Sequence, residues 1–172
     1  ALQDEITVKI LTATQVKLTA GEQALTVAKY YRGKQGLDCY LKYFEGRNYL
    51  WRVNIENNKA ARRIAEEIIS MCPESPMGYF LLGAVHQQEY RFGSTKSPRE
   101  TIEKGIELAQ KVLALDDSIA EGHVLLSYFY SLKKEHEKAI AEGERAVSLN
   151  PRLAQANISY AISLLHAGRS EE

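Results

Sequence analysis

The residue types that most often carry chemistry are present in this chain, but not at spacings that make a site. The four histidines are His86, His123, His136 and His166. No two of them stand three or four apart, so no helix offers two metal ligands on one face. Paired carboxylates occur at Glu66-Glu67 and Glu171-Glu172. Both pairs read as solvated, where nothing raises a carboxyl pKa into the range of a general acid. The chain has no Gly-rich phosphate loop and no Gly-x-Ser-x-Gly elbow. Cys39 and Cys72 stand 33 residues apart with no Cys-x-x-Cys. They read first as two small buried apolar residues, with a bridge between them left open by the sequence. These observations give no catalytic residue, no metal site and no cofactor, and the expectation is a chain that is not an enzyme.

A pattern of small residues organises the rest. Ala61-x3-Ala65-x2-Ile68 runs to Pro73, Gly105-x3-Ala109-x2-Val112 runs to Asp116-Asp117, and Ala139-x3-Gly143-x2-Ala146 runs to Asn150-Pro151. Small residues four apart lie on one helix face and let a neighbouring helix come close. The Pro or Asp then ends the helix. Each terminator is followed by another helical pattern: Tyr79-x2-Leu82-Gly83-x2-His86, His123-x2-Leu126-Ser127-x2-Tyr130 and Asn157-x2-Tyr160-Ala161-x2-Leu164. The interval from Asp117 to Pro151 is 34 residues, whereas Pro73 to Asp117 is 44, with ten extra around 91–96. The helix after that insertion opens on Ser97-Pro98-Arg99-Glu100, a capping box with Pro at the first helical position. With no alternating run anywhere, helix is expected over most of residues 39–168 and no sheet.

These residues resemble the tetratricopeptide signature of an aromatic, Leu-Gly and Tyr, then Ala-x3-Phe, Ala and Pro. The repeat 120–153 carries Leu126, Tyr130, Ala139, Ala146 and Pro151; it departs at His123, where Trp is usual, and at Gly143, where an aromatic is usual. The resemblance implies an all-α superhelix of helical hairpins (an α-solenoid). Its repeats would be 39–75, 76–119 and 120–153, with a partial repeat at 154–172. A helical connector would occupy 1–38, where Leu2, Ile6, Ile10 and Leu11 keep helical spacing, a short helix covers 23–31, and Gly33 and Gly36 break the chain. A slightly long turn is expected at 54–58.

In tetratricopeptide arrays the first helix of each pair lines a concave face. By that resemblance the groove positions are Tyr40, Tyr43, Arg47 and Trp51, then Met77, Phe80, Ala84 and Gln87. Glu121, Val124, Tyr128 and Ser131 follow, and then Gln155, Ile158 and Ile162. Aromatic anchors with an Arg and amides suit a protein or peptide partner. Tyr43, Phe80 and Tyr128 are expected on one continuous surface.

The connector Leu2-Gln3-Asp4-Glu5-Ile6 with Lys9-Ile10, and the block Phe92-Gly93-x3-Ser97-Pro98-x2-Thr101-Ile102, are similar to the tails of bacterial class III adenylate/guanylate cyclases. They are similar also to those of certain transmembrane transcriptional regulators. That resemblance implies a regulatory or assembly module beside a signalling domain whose catalytic residues lie upstream. A co-chaperone-like receptor for peptide tails is the rival reading; it calls for Lys and Asn in the groove, where only Arg47 and amides stand.

Lys plus Arg equals Asp plus Glu at 22 each, so no global field attracts nucleic acid or an anionic membrane. Apolar residues are 45% and charged residues 26% of the chain, an ordinary globular balance. No signal-peptide pattern opens the sequence, which starts without Met and reads as a piece of something longer; the expected compartment is the cytoplasm. Finally, Ile158, Ile162 and Leu165 repeat at i, i+4 and i+7 while Tyr160 and Leu164 point inward. The last helix therefore has two apolar faces, and residues 168–172 read as the turn into a missing partner helix. The outer face is expected to pair with a second copy.

Overall fold

The computed structural model describes residues 33–168. The expectations for 1–32 and 169–172 lie outside the described residues. Within them the chain is all-α: α1 Gly33–Trp51, α2 Ile55–Met71, α3 Pro76–Arg91, α4 Pro98–Leu115, α5 Ala120–Leu132, α6 His136–Leu149 and α7 Ala154–His166. No strand occurs among the described residues.

Local chemistry sets most of the boundaries. The Asn54 side chain accepts from Asn57 N–H (2.8 Å) and starts α2. Ser75 and Ser97 accept from Met77 and Glu100, each with Pro at the first helical position. Helices α2, α4 and α6 stop one or two residues before Pro73, Asp117 and Pro151. Between α3 and α4 residues 92–97 turn through Gly93 at φ 62°, where Gly carries no Cβ penalty, and the rest of the ten extra residues lengthen the two helices. Val53, between α1 and α2, sits at φ 44°, a costly region for a β-branched side chain.

Three expectations are corrected here. Gly36 does not break the helix: α1 begins at Gly33 and runs through Gly36. Residues 54–58 are not a long turn either, because Asn54 caps α2 and the helix takes up the rest. The cysteines are also not free. Cys39 of α1 and Cys72, the C-cap of α2, are bonded to each other across a Cα–Cα distance of 6.6 Å.

Each helix packs on the next, and α1–α3, α3–α5 and α5–α7 also pack on each other. The core runs along the chain as three successive clusters. Tyr43, Ile68, Leu81 and Val85 anchor the first, between α1, α2 and α3. Ile102, Ile106, Leu125 and Phe129 form the second, between α4 and α5. Ala120, Ala146, Leu153 and Ala156 form the third. The small residues sit where helices close on one another: Ala61, Ala65, Ala109, Ala139 and Ala146 are all fully buried. Gly143 departs from the tetratricopeptide pattern for a visible reason. A Cβ there would stand 2.9 Å from the Tyr160 backbone Cα, so no aromatic fits between α6 and α7. His123 is held in place of a Trp by its ring nitrogens, which face the Glu142 carboxylate (2.6 Å) and the Asp117 carbonyl (3.3 Å).

Candidate protein-binding surface

The sequence-derived positions lie on α1, α3, α5 and α7, which pack on one another in succession. On α1 the Arg47 guanidinium lies over the rings of both Tyr43 (5.7 Å) and Trp51 (5.4 Å), two cation–π contacts that fix its direction. Trp51 is 68% exposed, so this stack ends in open aromatic surface. Glu121 of α5 feels the same guanidinium. Burial pushes its carboxyl above the ordinary glutamate value, against the opposing pull of its own backbone amide and of Arg47. Tyr43 also responds to both charges, although burial dominates and pushes its phenol up to about 12. Arg47, Tyr43 and Glu121, from α1 and α5, therefore share one electrostatic environment.

Not every expected position is surface. Tyr40 and Tyr43 are buried, at 4% and 2% exposure, and belong to the first core cluster rather than to an open groove. Met77 and Ser131 are buried too. Phe80 packs against both the cluster holding Tyr43 and the one that Tyr128 borders. Gln87 is half-buried, as is Val124, which packs against the third cluster. Burial pushes the Tyr128 phenol up to about 12, with Arg91 pulling the other way. On α7, Ile158, Ile162 and Leu165 are 58%, 41% and 62% exposed.

Other polar groups escaped sequence reasoning. Arg62 of α2 grips the Glu89 carboxylate of α3 with Nη2 at 2.8 Å from both oxygens, and His86 Nδ1 approaches the same carboxylate at 3.3 Å. Beneath α5 and α7, the Ser127 hydroxyl donates to the Ala139 carbonyl and pairs with Ser163, which also meets Ser131. The arrangement joins helices rather than offering a reactive group. Among the described residues no three His, Cys, Asp or Glu are grouped to hold a metal ion. No described helix is long and apolar enough to cross a membrane.

No protein-family model matches the chain. It is similar to a protein of Rhizobium meliloti (strain 1021) named "Putative adenylate cyclase 3", with 27% identity over 139 residues. The matched region covers 81% of this chain and 23% of that protein, so the chain spans about a quarter of the relative's length.

Proposed function

We propose that this chain is a tetratricopeptide-type scaffold that docks a protein segment and serves as a regulatory or assembly module beside a nucleotide cyclase domain. The observation that carries the proposal is the packing of α1, α3, α5 and α7 on one another. It supports the reading because Arg47 and Trp51 of α1, Phe80 of α3 and Glu121 of α5 come from successively packed helices, with Arg47 and Glu121 close enough to feel each other's charge. Alternating helix partners closed by buried small residues are what stacked helical hairpins need. The cyclase context is supported by the relative's name and by the small share of that protein which the chain covers.

The test uses the full gene product. Removing this region should leave an upstream cyclase turnover intact but change its assembly state or regulation. Trp51→Ala and Arg47→Ala should both reproduce that change, and Trp51→Ala should move stability by no more than about 0.5 kcal/mol, as an exposed side chain does. ATP or GTP cyclisation by the 172-residue chain alone would overturn the scaffold reading.

The exposed face of α7 is part of the same proposal, with a second copy of the chain as its occupant. Ile158, Ile162 and Leu165 place three large apolar side chains along one helical stripe, the kind of patch that association covers. Light scattering over a range of concentrations should show a dimer that Ile158→Glu with Ile162→Glu disperses. A monomer at every concentration, indifferent to the substitutions, removes self-association from the reading.

A further inference from the structure

We infer that the Cys39–Cys72 bond is a redox-sensitive clasp that holds the first turns of α1 onto the array. Those turns hold themselves poorly. Helix α1 enters through Gly33 and Gly36, and glycine is the weakest helix former after proline. Its first turn contains no acidic residue to meet the helix dipole. Sequence alone favours a break there, yet the helix is formed.

The contacts before the bridge are few, whereas from Cys39 onward Tyr40 already lies in the first core cluster. Besides the bridge, Gln35 Nε2 donates to the Met71 carbonyl (2.7 Å), and Lys42 pairs with Glu67 on the exposed flank. Leu37 is only partly buried and Leu41 is 57% exposed. The second half of α1 differs: Tyr43 and Leu50 are buried, and Gly46 lies close against Leu81 and Ile64. The bridge thus stands at the boundary between a packed half and a weakly held half. The weakly held half is the part that residues 1–32 join.

The two sulfurs are not equivalent. Cys39 is fully buried, whereas Cys72 caps α2 and is partly exposed. A dithiol reductant would attack Cys72 Sγ through its thiolate, breaking the S–S bond and releasing Cys39 as a thiolate that takes up a proton. The reductant's second thiol would then displace Cys72 from the mixed disulfide. One protein disulfide is reduced by two electrons while the dithiol becomes a disulfide. With the clasp open, residues 33–38 fray, freeing the amides up to Lys42 that donate to their carbonyls, while Tyr40 and Tyr43 stay in the core and α3 to α7 keep their packing. The inference is independent of whether the array docks a partner.

Amide hydrogen exchange on the whole chain, oxidised and then treated with dithiothreitol, tests it. Reduction should accelerate exchange in residues 33–42 by about tenfold or more, with α3 to α7 unchanged, because local opening is a smaller event than global unfolding. Cys72→Ser should show the reduced pattern without reductant. Three results would each overturn the clasp. One is maleimide labelling of both thiols after equilibration in an oxidising glutathione buffer. Another is identical exchange in both states. The third is exchange that rises through every helix, which would make the bridge a support of the whole array.

Discussion

Gly105→Ala should destabilise the chain by about 1–3 kcal/mol, although alanine is the better helix former. An added Cβ at this position in α4 would stand 2.1, 2.3 and 2.5 Å from three ring carbons of Phe129 on α5. Such distances require something to move. Phe129 has no exposed surface, and Tyr128 meets its ring edge-on at 5.3 Å, so the ring cannot swing into solvent. The alternative is for α4 and α5 to separate, which loosens the second core cluster along its length. For a chain of this size the melting temperature should fall by roughly 3–10 °C. The cause can be isolated with a double-mutant cycle. Phe129→Ala alone should cost about 3–5 kcal/mol through the cavity it leaves. In that background Gly105→Ala meets no ring, and its effect should vanish or turn slightly stabilising. Urea denaturation of the four chains measures the coupling; additive costs would show that the steric account of Gly105 is wrong.

The same position shows what the sequence could reveal. Gly105 and Ala109 mark a face of close approach because small residues four apart have few other uses, and that face is buried as expected. Helix ends at Pro73, Asp117 and Pro151 and the cap at Ser97 were legible for a related reason: capping and proline geometry act within a few residues. Where a distant contact overrides local preference, the reading goes astray. Gly33 and Gly36 look like a break until Cys39 is tied to Cys72 and Gln35 to Met71. Tyr40 and Tyr43 fall on the inner side of α1, yet register fixes only direction, and the depth of burial depends on how closely α2 and α3 approach. The Arg62–Glu89 pair spans 27 residues between successive helices and leaves no periodic trace.

That pair governs the second large effect. Arg62→Met should cost about 1–3 kcal/mol at neutral pH, because it leaves a mostly enclosed carboxylate without its cation. The side chains of Arg62 and Glu89 are only 29% and 23% exposed, so solvent screens the pair little. Burial is the largest influence on Glu89 and pushes its carboxyl up. The nearby His86 ring and the Arg62 hydrogen bonds and charge outweigh it, and the net result lies below the ordinary 4.5. The sign of the pH dependence follows. A carboxyl whose pKa is lower folded than unfolded contributes its full stability above the unfolded value and loses it as pH falls through the folded one. The wild-type chain should therefore lose this contribution below about pH 4.5. Arg62→Met removes one of the two groups that oppose burial and leaves only His86 against it, so the Glu89 carboxyl moves up toward its unfolded value; the variant starts less stable and loses less on acidification. The gap between the two chains should be widest at pH 7 and close toward pH 3. Urea midpoints at pH 7, 5, 4 and 3 would follow it, with Glu89→Gln as the chain that lacks this titration altogether. A gap that stays constant across the series would mean that Arg62 contributes through the packing of its aliphatic stem and that its charge on Glu89 adds nothing.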